Sequence, residues 1–227
     1  MRKIISLVLM LPALVAGAQS FSETLDQKVV DYEAGKMNAD DFTGLVLTSD
    51  PEFEWMQFDE KTGKAMLTKK GLELESKKDG SLIFSCCDLP VNVVDDDFSV
   101  IFSMNPDGFS DDKPFGIVYD YENDRNFKAL LIFKKGFQLV EMAKGEMSVS
   151  RKGVYKAKNK KSMLIGITKE NGKLVFSINS LPLATLKKVD LTNSSFGFIV
   201  GNKAKLTCNY LAYAIAPRDD SDAPTTD

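Results

Sequence analysis

The densest chemistry in this sequence lies between positions 119 and 127. Tyr119, Asp120, Tyr121, Glu122, Asn123, Asp124, Arg125, Asn126 and Phe127 follow one another there. Aromatic faces stand beside carboxylates, amides and a guanidinium. A sugar ligand requires that mix, because rings meet its C–H faces while planar polar groups bridge its hydroxyls. Tyr119, Tyr121, Asn123, Arg125 and Asn126 are therefore the candidate ligand-binding residues. The competing reading of the same stretch is an ordinary polar hairpin loop. Trp55, the only tryptophan, is either a stacking platform or a core residue.

Catalytic chemistry finds less support. The chain has no histidine, so every Ser-His or Cys-His mechanism lacks its proton shuttle. No phosphate-binding or dinucleotide fingerprint occurs, and no cofactor is expected. The remaining route is a carboxylate pair gathered from separate loops, such as Asp120 and Glu141. No metal site is expected either. Cys86, Cys87 and Cys208 have no Cys-x-x-Cys spacing, and two adjacent thiols make a poor tetrahedral set. Acidic clusters at Asp95-Asp96-Asp97, Asp111-Asp112 and Asp120-x-Glu122-x-Asp124 invite calcium. The last lacks the glycine that lets a calcium loop turn, and Arg125 opposes a cation, so solvated turns are expected.

The odd cysteine count leaves at least one thiol unpaired within the chain. By strand alternation Cys86 shares a face with Leu82 and Phe84, and Cys208 shares one with Leu206 and Tyr210. Both faces could point inward, so a bridge from Cys208 to Cys86 or Cys87 is one expectation. Three buried thiols are the other.

The elements that must position these residues begin after an export signal. Arg2 and Lys3 precede an apolar run from Ile4 to Val15, and Ala16-Gly17-Ala18 is a small-residue cleavage site. Residues 1–18 therefore read as a signal peptide, which puts the mature protein in the periplasm or outside the cell. The run is too short for a membrane span and no second one follows, so no transmembrane segment remains after cleavage. The whole chain carries 29 basic and 32 acidic residues, and losing Arg2 and Lys3 deepens that acidic balance. Nothing in it favours nucleic acid. The lysines at Lys156, Lys158, Lys160 and Lys161 read as a solvated loop.

Residues 19–50 read as a helical lead-in. Ser22 is a cap candidate, Leu25, Val29 and Tyr32 recur at helical spacing, and Gly35 is a stop. A second short helix from Asn38 would carry Phe42, Leu45 and Val46. From Phe53 onward the pattern is short apolar runs with period two, as in Phe98, Val100, Phe102 and Met104. Runs rich in Phe, Val, Ile and Tyr with polar turns between them predict an all-β protein: a two-sheet antiparallel sandwich over 51–216 with a short N-terminal helical segment. Asn171-Gly172 predicts a two-residue hairpin turn, and Lys135-Gly136 a second. The tail 217–227 is polar and predicts disorder.

Three stretches carry a resemblance. Trp55 is followed by Gly71-Leu72-Glu73-Leu74. Asp97-Phe98-Ser99-Val100 precedes Phe115-Gly116-Ile117-Val118-Tyr119-Asp120, with Asn123 and Asn126 in the next loop. Asn171-Gly172 leads through Phe176 and Ile178 to Asn179, then to Phe196-Gly197-Phe198. In this order of features, over roughly 53–215, the chain resembles the concanavalin A-like (laminin-G-like) jelly-roll superfamily, in its bacterial secreted branch. It departs from the pattern at Ser180, where a glycine usually follows the asparagine. The resemblance implies a jelly roll and a range of roles: glycan-binding module, glycoside hydrolase, or adhesion and scaffold domain. Hydrolases of the superfamily often carry Glu-x-Asp-x-x-Glu on one strand. Here the nearest strings are Glu52-x-Glu54 and Glu73-x-Glu75, read as outward faces of strands near an edge.

The expectation is thus an exported, non-catalytic binding module whose partner is a glycan or a cell-envelope protein. An atypical glycoside hydrolase and a purely structural domain held by its N-terminal helix are the rivals.

Overall fold

A computed structural model describes residues 20–50, 52–107, 110–155 and 162–216. The signal segment, the lysines at 156–161 and the tail at 217–227 lie outside the described residues. Helix α1 (Phe21–Glu33) and a 3-10 turn (Ala39–Asp41) come first. Strands follow: β1 (Leu45–Leu47), β2 (Phe58–Asp59), β3 (Gly63–Thr68), β4 (Gly71–Ser76), β5 (Leu82–Asp88), β6 (Phe98–Asp107), β7 (Phe115–Asn123) and β8 (Asn126–Phe133). Then come β9 (Gly136–Ala143), β10 (Glu146–Val154), β11 (Met163–Glu170), β12 (Lys173–Ile178), β13 (Leu181–Leu186), β14 (Ser195–Gly201) and β15 (Lys205–Ile215).

The strands form two antiparallel sheets. A nine-stranded sheet runs β13-β12-β11-β6-β15-β4-β3-β2, with β1 beside β15; a six-stranded sheet runs β10-β9-β8-β7-β14-β5. Between them lies the main core. Phe98, Val100, Phe102 and Met104 enter it from β6 on one parity, as the alternation predicts, and meet Phe196 and Phe198 of β14. Trp55 is 4% exposed and packs on Phe198 with ring centroids 5.6 Å apart, so it is a core residue.

The opposite face of the nine-stranded sheet is covered by α1. Ser20, not Ser22, caps the helix: its hydroxyl accepts from the Glu23 N–H, and the Glu23 carboxylate accepts from the Ser20 N–H, a capping box. Leu25 and Val29 are buried against Ile101, Tyr210 and Ala212. Tyr32 meets Tyr210 edge-on, and the Tyr210 hydroxyl donates to Glu33 Oε1 at 3.0 Å. Gly35, at φ +69°, follows the helix end as expected.

The second helix does not form. After the single 3-10 turn, Leu45–Leu47 pairs with Tyr210–Ala212 as a strand. β4 covers only Lys205 to Cys208 of β15, so the rest of that edge is free to pair with β1. Val46 then enters the core while Leu45 and Leu47 pack under α1. Gly44 makes this approach possible, because a Cβ there would sit 2.2 Å from the Tyr213 carbonyl oxygen. The lead-in is thus built into the sandwich.

Asn171-Gly172 turns as expected, with both residues at positive φ. Lys144-Gly145, Asn179-Ser180 and Asn202-Lys203 also have positive φ at both positions. The hairpin expected at Lys135-Gly136 turns one residue earlier, because Gly136 already pairs with Phe133.

All three cysteines are free and buried. The expected inward alignment of Cys86 fails: Leu82, Phe84 and Cys86 do share a face, but it is the outer face of the six-stranded sheet. Cys87 and Cys208 are the pair that faces the main core. Burial raises all three thiols; at Cys87 burial and the neighbouring Asp88 push the value up to about 12.

Candidate ligand-binding groove

A sheet packed on one face ordinarily shows water a polar row at every second position. The six-stranded sheet does not. Its register sorts the outward side chains into rows across the strands. One row reads Lys152, Gln138, Leu131, Gly116, Ile199 and Phe84, from β10 to β5. The row toward the β7–β8 turn reads Val149, Val140, Ala129, Val118, Gly197 and Cys86. Beyond it Met147, Met142 and Phe127 align. Gln138 and Lys152 are the only polar members of these rows.

The small side chains sit in the middle. β7 and β14 contribute Gly116, Val118, Gly197 and Ile199, of which Val118 and Ile199 are buried beneath the groove in a cluster under Met56, Leu82, Phe84, Phe133 and Met142. On one side β5 raises Leu82 and Phe84; on the other β8 raises Phe127, Leu131 and Phe133. The segment before β2 extends the first wall, since the Met56 N–H donates to the Cys86 carbonyl at 3.3 Å and Ser85 Oγ donates to the Met56 carbonyl at 2.8 Å. The result is a groove of about 640 Å³, lined by Met56, Phe58, Leu82, Phe84, Phe127, Leu131, Phe133, Met142 and Met147. That volume lies in the range of small-ligand sites. Phe84 meets Phe127 at 5.0 Å and Tyr121 at 5.5 Å between ring centroids, which gathers three rings at one end.

Polar groups along the groove are few. Glu60, Thr62, Asp124, Gln138 and Asn202 contribute. Asn202 is committed on both sides, donating to the Asp112 carbonyl at 2.7 Å and accepting the Gly80 N–H at 2.9 Å. Asp124 accepts the Tyr121 hydroxyl at 2.9 Å. Burial, and then that bond, raise the Tyr121 phenol above its usual value.

The five residues expected from sequence do not assemble into one site. Tyr119 is 2% exposed, and its ring packs on Phe176 at 5.3 Å. Its parity places it with Phe115 and Ile117 toward the core, so no surface remains for a ligand. The register then shifts between Tyr119 and Asn123, and Tyr121 turns outward to the ring cluster. Asn123 Oδ1 accepts the Arg125 N–H at 2.9 Å and Asn126 Nδ2 at 3.2 Å. Arg125 donates to the Lys144 carbonyl and Asn126 Oδ1 accepts the Lys144 N–H, each at 2.9 Å. Asn123, Arg125 and Asn126 thus tie the β7–β8 turn to the β9–β10 turn.

Asp120 and Glu141 do line one small cleft of about 140 Å³. Asp120 is structural there. It is buried at φ +52°, pairs with Lys128 Nζ at 2.7 Å, and accepts the Thr192 and Asn193 N–H groups at 2.8 Å each. Burial alone would raise its carboxyl; the Lys128 bond and the two amides outweigh that and hold it below the ordinary value. Glu75 lies between Lys64 and Lys205 in a strand with neighbours on both sides, not at an edge. Among the described residues no three His, Cys, Asp or Glu side chains gather as a metal set. No helix among them is long and apolar enough to cross a membrane.

Sequence reasoning missed Leu82, Phe84, Phe127, Phe133 and Met142. A signal was present: Phe127, Ala129, Leu131 and Phe133 are apolar on one parity of β8, while Leu130 and Ile132 are apolar on the other. A strand with a solvated face alternates instead.

No family model matches the chain, and no curated protein matches it. Solved structures do. The chain is similar to the carbohydrate binding module CBM66 from Bacillus subtilis at 12% identity and TM-score 0.52, over 70% of this chain and 94% of that one. It is similar to a protein of unknown function with a galectin-like fold from Bacillus subtilis, at 13% identity and TM-score 0.52, over 73% and 91%. Xylan beta-1,4-xylosidase from Bacillus halodurans C-125 matches at 12% identity and TM-score 0.53, over 75% of this chain but 38% of that one. At these identities the likeness shows the fold: a galectin-like, jelly-roll-type sandwich.

Proposed function

We propose that the chain is an exported, non-catalytic binding domain whose ligand lies in the groove across the six-stranded sheet. The observation that carries this reading is the unalternating outer face: a sheet that met only water would not hold Leu82, Phe84, Leu131, Phe133 and Met142 around an open groove. Export rests on the leader pattern at residues 1–18. The absence of histidine argues against Ser-His and Cys-His hydrolysis, and the use of Asp120 as a structural anchor argues against the Asp120–Glu141 carboxylate route.

An envelope partner with apolar surface suits the lining best. The carbohydrate reading has its own support. The fold is shared with a carbohydrate binding module, and the half-buried Phe84 and Phe133 offer faces on which sugar C–H groups stack. The two readings separate by titration. The full chain is titrated with Nile red and with cellohexaose, alongside Met147→Lys at an exposed lining position and Phe133→Ala in the wall. Saturable dye binding at one site per chain, weakened about tenfold or more by either substitution, is expected. Binding of neither probe, or binding indifferent to both substitutions, removes the groove as the site.

A further inference from the structure

We infer that the groove receives a segment of another protein, an apolar run with a lysine or arginine at each end. This rests on the groove being the binding surface proposed above and adds the chemistry of its occupant.

The charged residues that line the groove are Glu60 and Asp124, both carboxylates; no lysine or arginine lines it. The register puts them at opposite ends. Asp124 follows the last residue of β7. Glu60 lines the end formed by Gly80, Leu82 and Asn202; Leu82 pairs with Gly201, and the Gly201 N–H donates to Pro114, just before β7 begins. β7 runs beneath the groove from Phe115 to Asn123, so the carboxylates stand about 25 Å apart at roughly 3.3 Å per residue, with the apolar lining of Leu82, Phe84, Phe127, Leu131 and Phe133 between them. About eight residues of extended chain span that distance. A segment that fills the groove with aliphatic side chains therefore meets a carboxylate at each end.

Other occupants fit less well. A glycan needs several free planar polar groups, and Asn202 is already committed on both its donor and acceptor sides. An anionic amphiphile would set its headgroup against a carboxylate. Met56, Met142 and Met147 also suit a peptide, because unbranched thioether side chains adapt to side chains of varied shape.

The test uses the full chain and four probes. Two are fluorescent nonapeptides of alternating leucine and alanine, one with arginine at both ends and one with glutamate. The others are monomeric lysophosphatidylcholine and cellohexaose. The arginine-ended peptide is expected to bind about fivefold tighter than its glutamate-ended twin, since each exposed ion pair adds roughly 0.2–1 kcal/mol. That advantage should vanish in a Glu60→Gln, Asp124→Asn double variant, whose positions are both exposed, and shrink in high salt. Equal affinity for the two peptides overturns the inference. So does saturable binding of the lysolipid or the hexaose with neither peptide bound. If any such probe is weakened by Phe133→Ala, the groove stands as a site and only its occupant was misassigned. If no probe responds to Phe133→Ala, both readings fall.

Discussion

Asp120 concentrates the residue-scale physics of this protein. A carboxylate at positive φ is uncommon, and Asp and Asn are among the residues that tolerate it. Its position lets one side chain accept from Lys128 and from the loop at Thr192 and Asn193, so a strand, its neighbour and a connecting loop share one anchor. Asp120→Asn keeps the backbone preference and removes the charge, which leaves the Lys128 ammonium without its counter-ion. A loss of about 2–3 kcal/mol near neutral pH is expected in urea titration. The carboxyl is lowered in the folded state, so its contribution is fully present above the ordinary carboxylate range and is lost as the pH falls through the lowered value. The gap between native protein and variant should therefore close as the pH is taken from about 5 to about 2. A gap that stays constant over that window would show that the charge is not what Asp120 contributes. None of these partners was legible in the sequence. Asp120 stood out there as half of a possible carboxylate pair with Glu141 and as one of an acidic cluster read as a solvated turn, because acidic clusters look alike until the fold says which acid meets a lysine.

At the scale of elements, the two-residue turns set the register of the hairpins. Positive φ at both positions suits the right-handed twist of the flanking strands. Asn171-Gly172 has the residues this demands; Asn179-Ser180 reaches the same geometry with a side chain at the second position, at φ +62°. Ser180→Gly should therefore stabilise the protein by about 0.5–1 kcal/mol, read as a higher urea midpoint at unchanged slope. A lower midpoint would mean that the Ser180 side chain contributes more than its backbone strain costs. The strands and the glycine-bearing turns were readable from alternation and turn chemistry. β1 was not: Phe42, Leu45 and Val46 fit helical spacing as well as strand spacing in so short a run. The free stretch of β15 decided between them by offering backbone partners.

Across the whole molecule, two sheets share one core, and Trp55 sits within it against Phe198. Its fluorescence should be blue-shifted in the native state. Its red shift on denaturation should coincide with the loss of far-ultraviolet circular dichroism, because the sheets cannot part without exposing the same core. Separated transitions would instead mean that one sheet survives the loss of the other. The groove also belongs to this scale. Its lining comes from β5 and β8 over a buried layer from β7 and β14, segments that span positions 82 to 201 and meet only when the six-stranded sheet assembles.

The sequence by itself determined the class of fold, the shared face of Phe98, Val100, Phe102 and Met104 on β6, the Asn171-Gly172 turn, and the cap-to-glycine extent of α1 within two residues at its start. Each of these follows from local periodicity or backbone preference, which neighbours in the chain express. The tertiary structure alone decided which way each alternating face points. Parity says that Leu82, Phe84 and Cys86 share a side, or that Tyr119 shares one with Ile117; it does not say which side is the core. That choice depends on the pairing of distant strands, and it turned Tyr119 inward and Phe84 outward, moving the candidate site from a polar loop to an apolar groove.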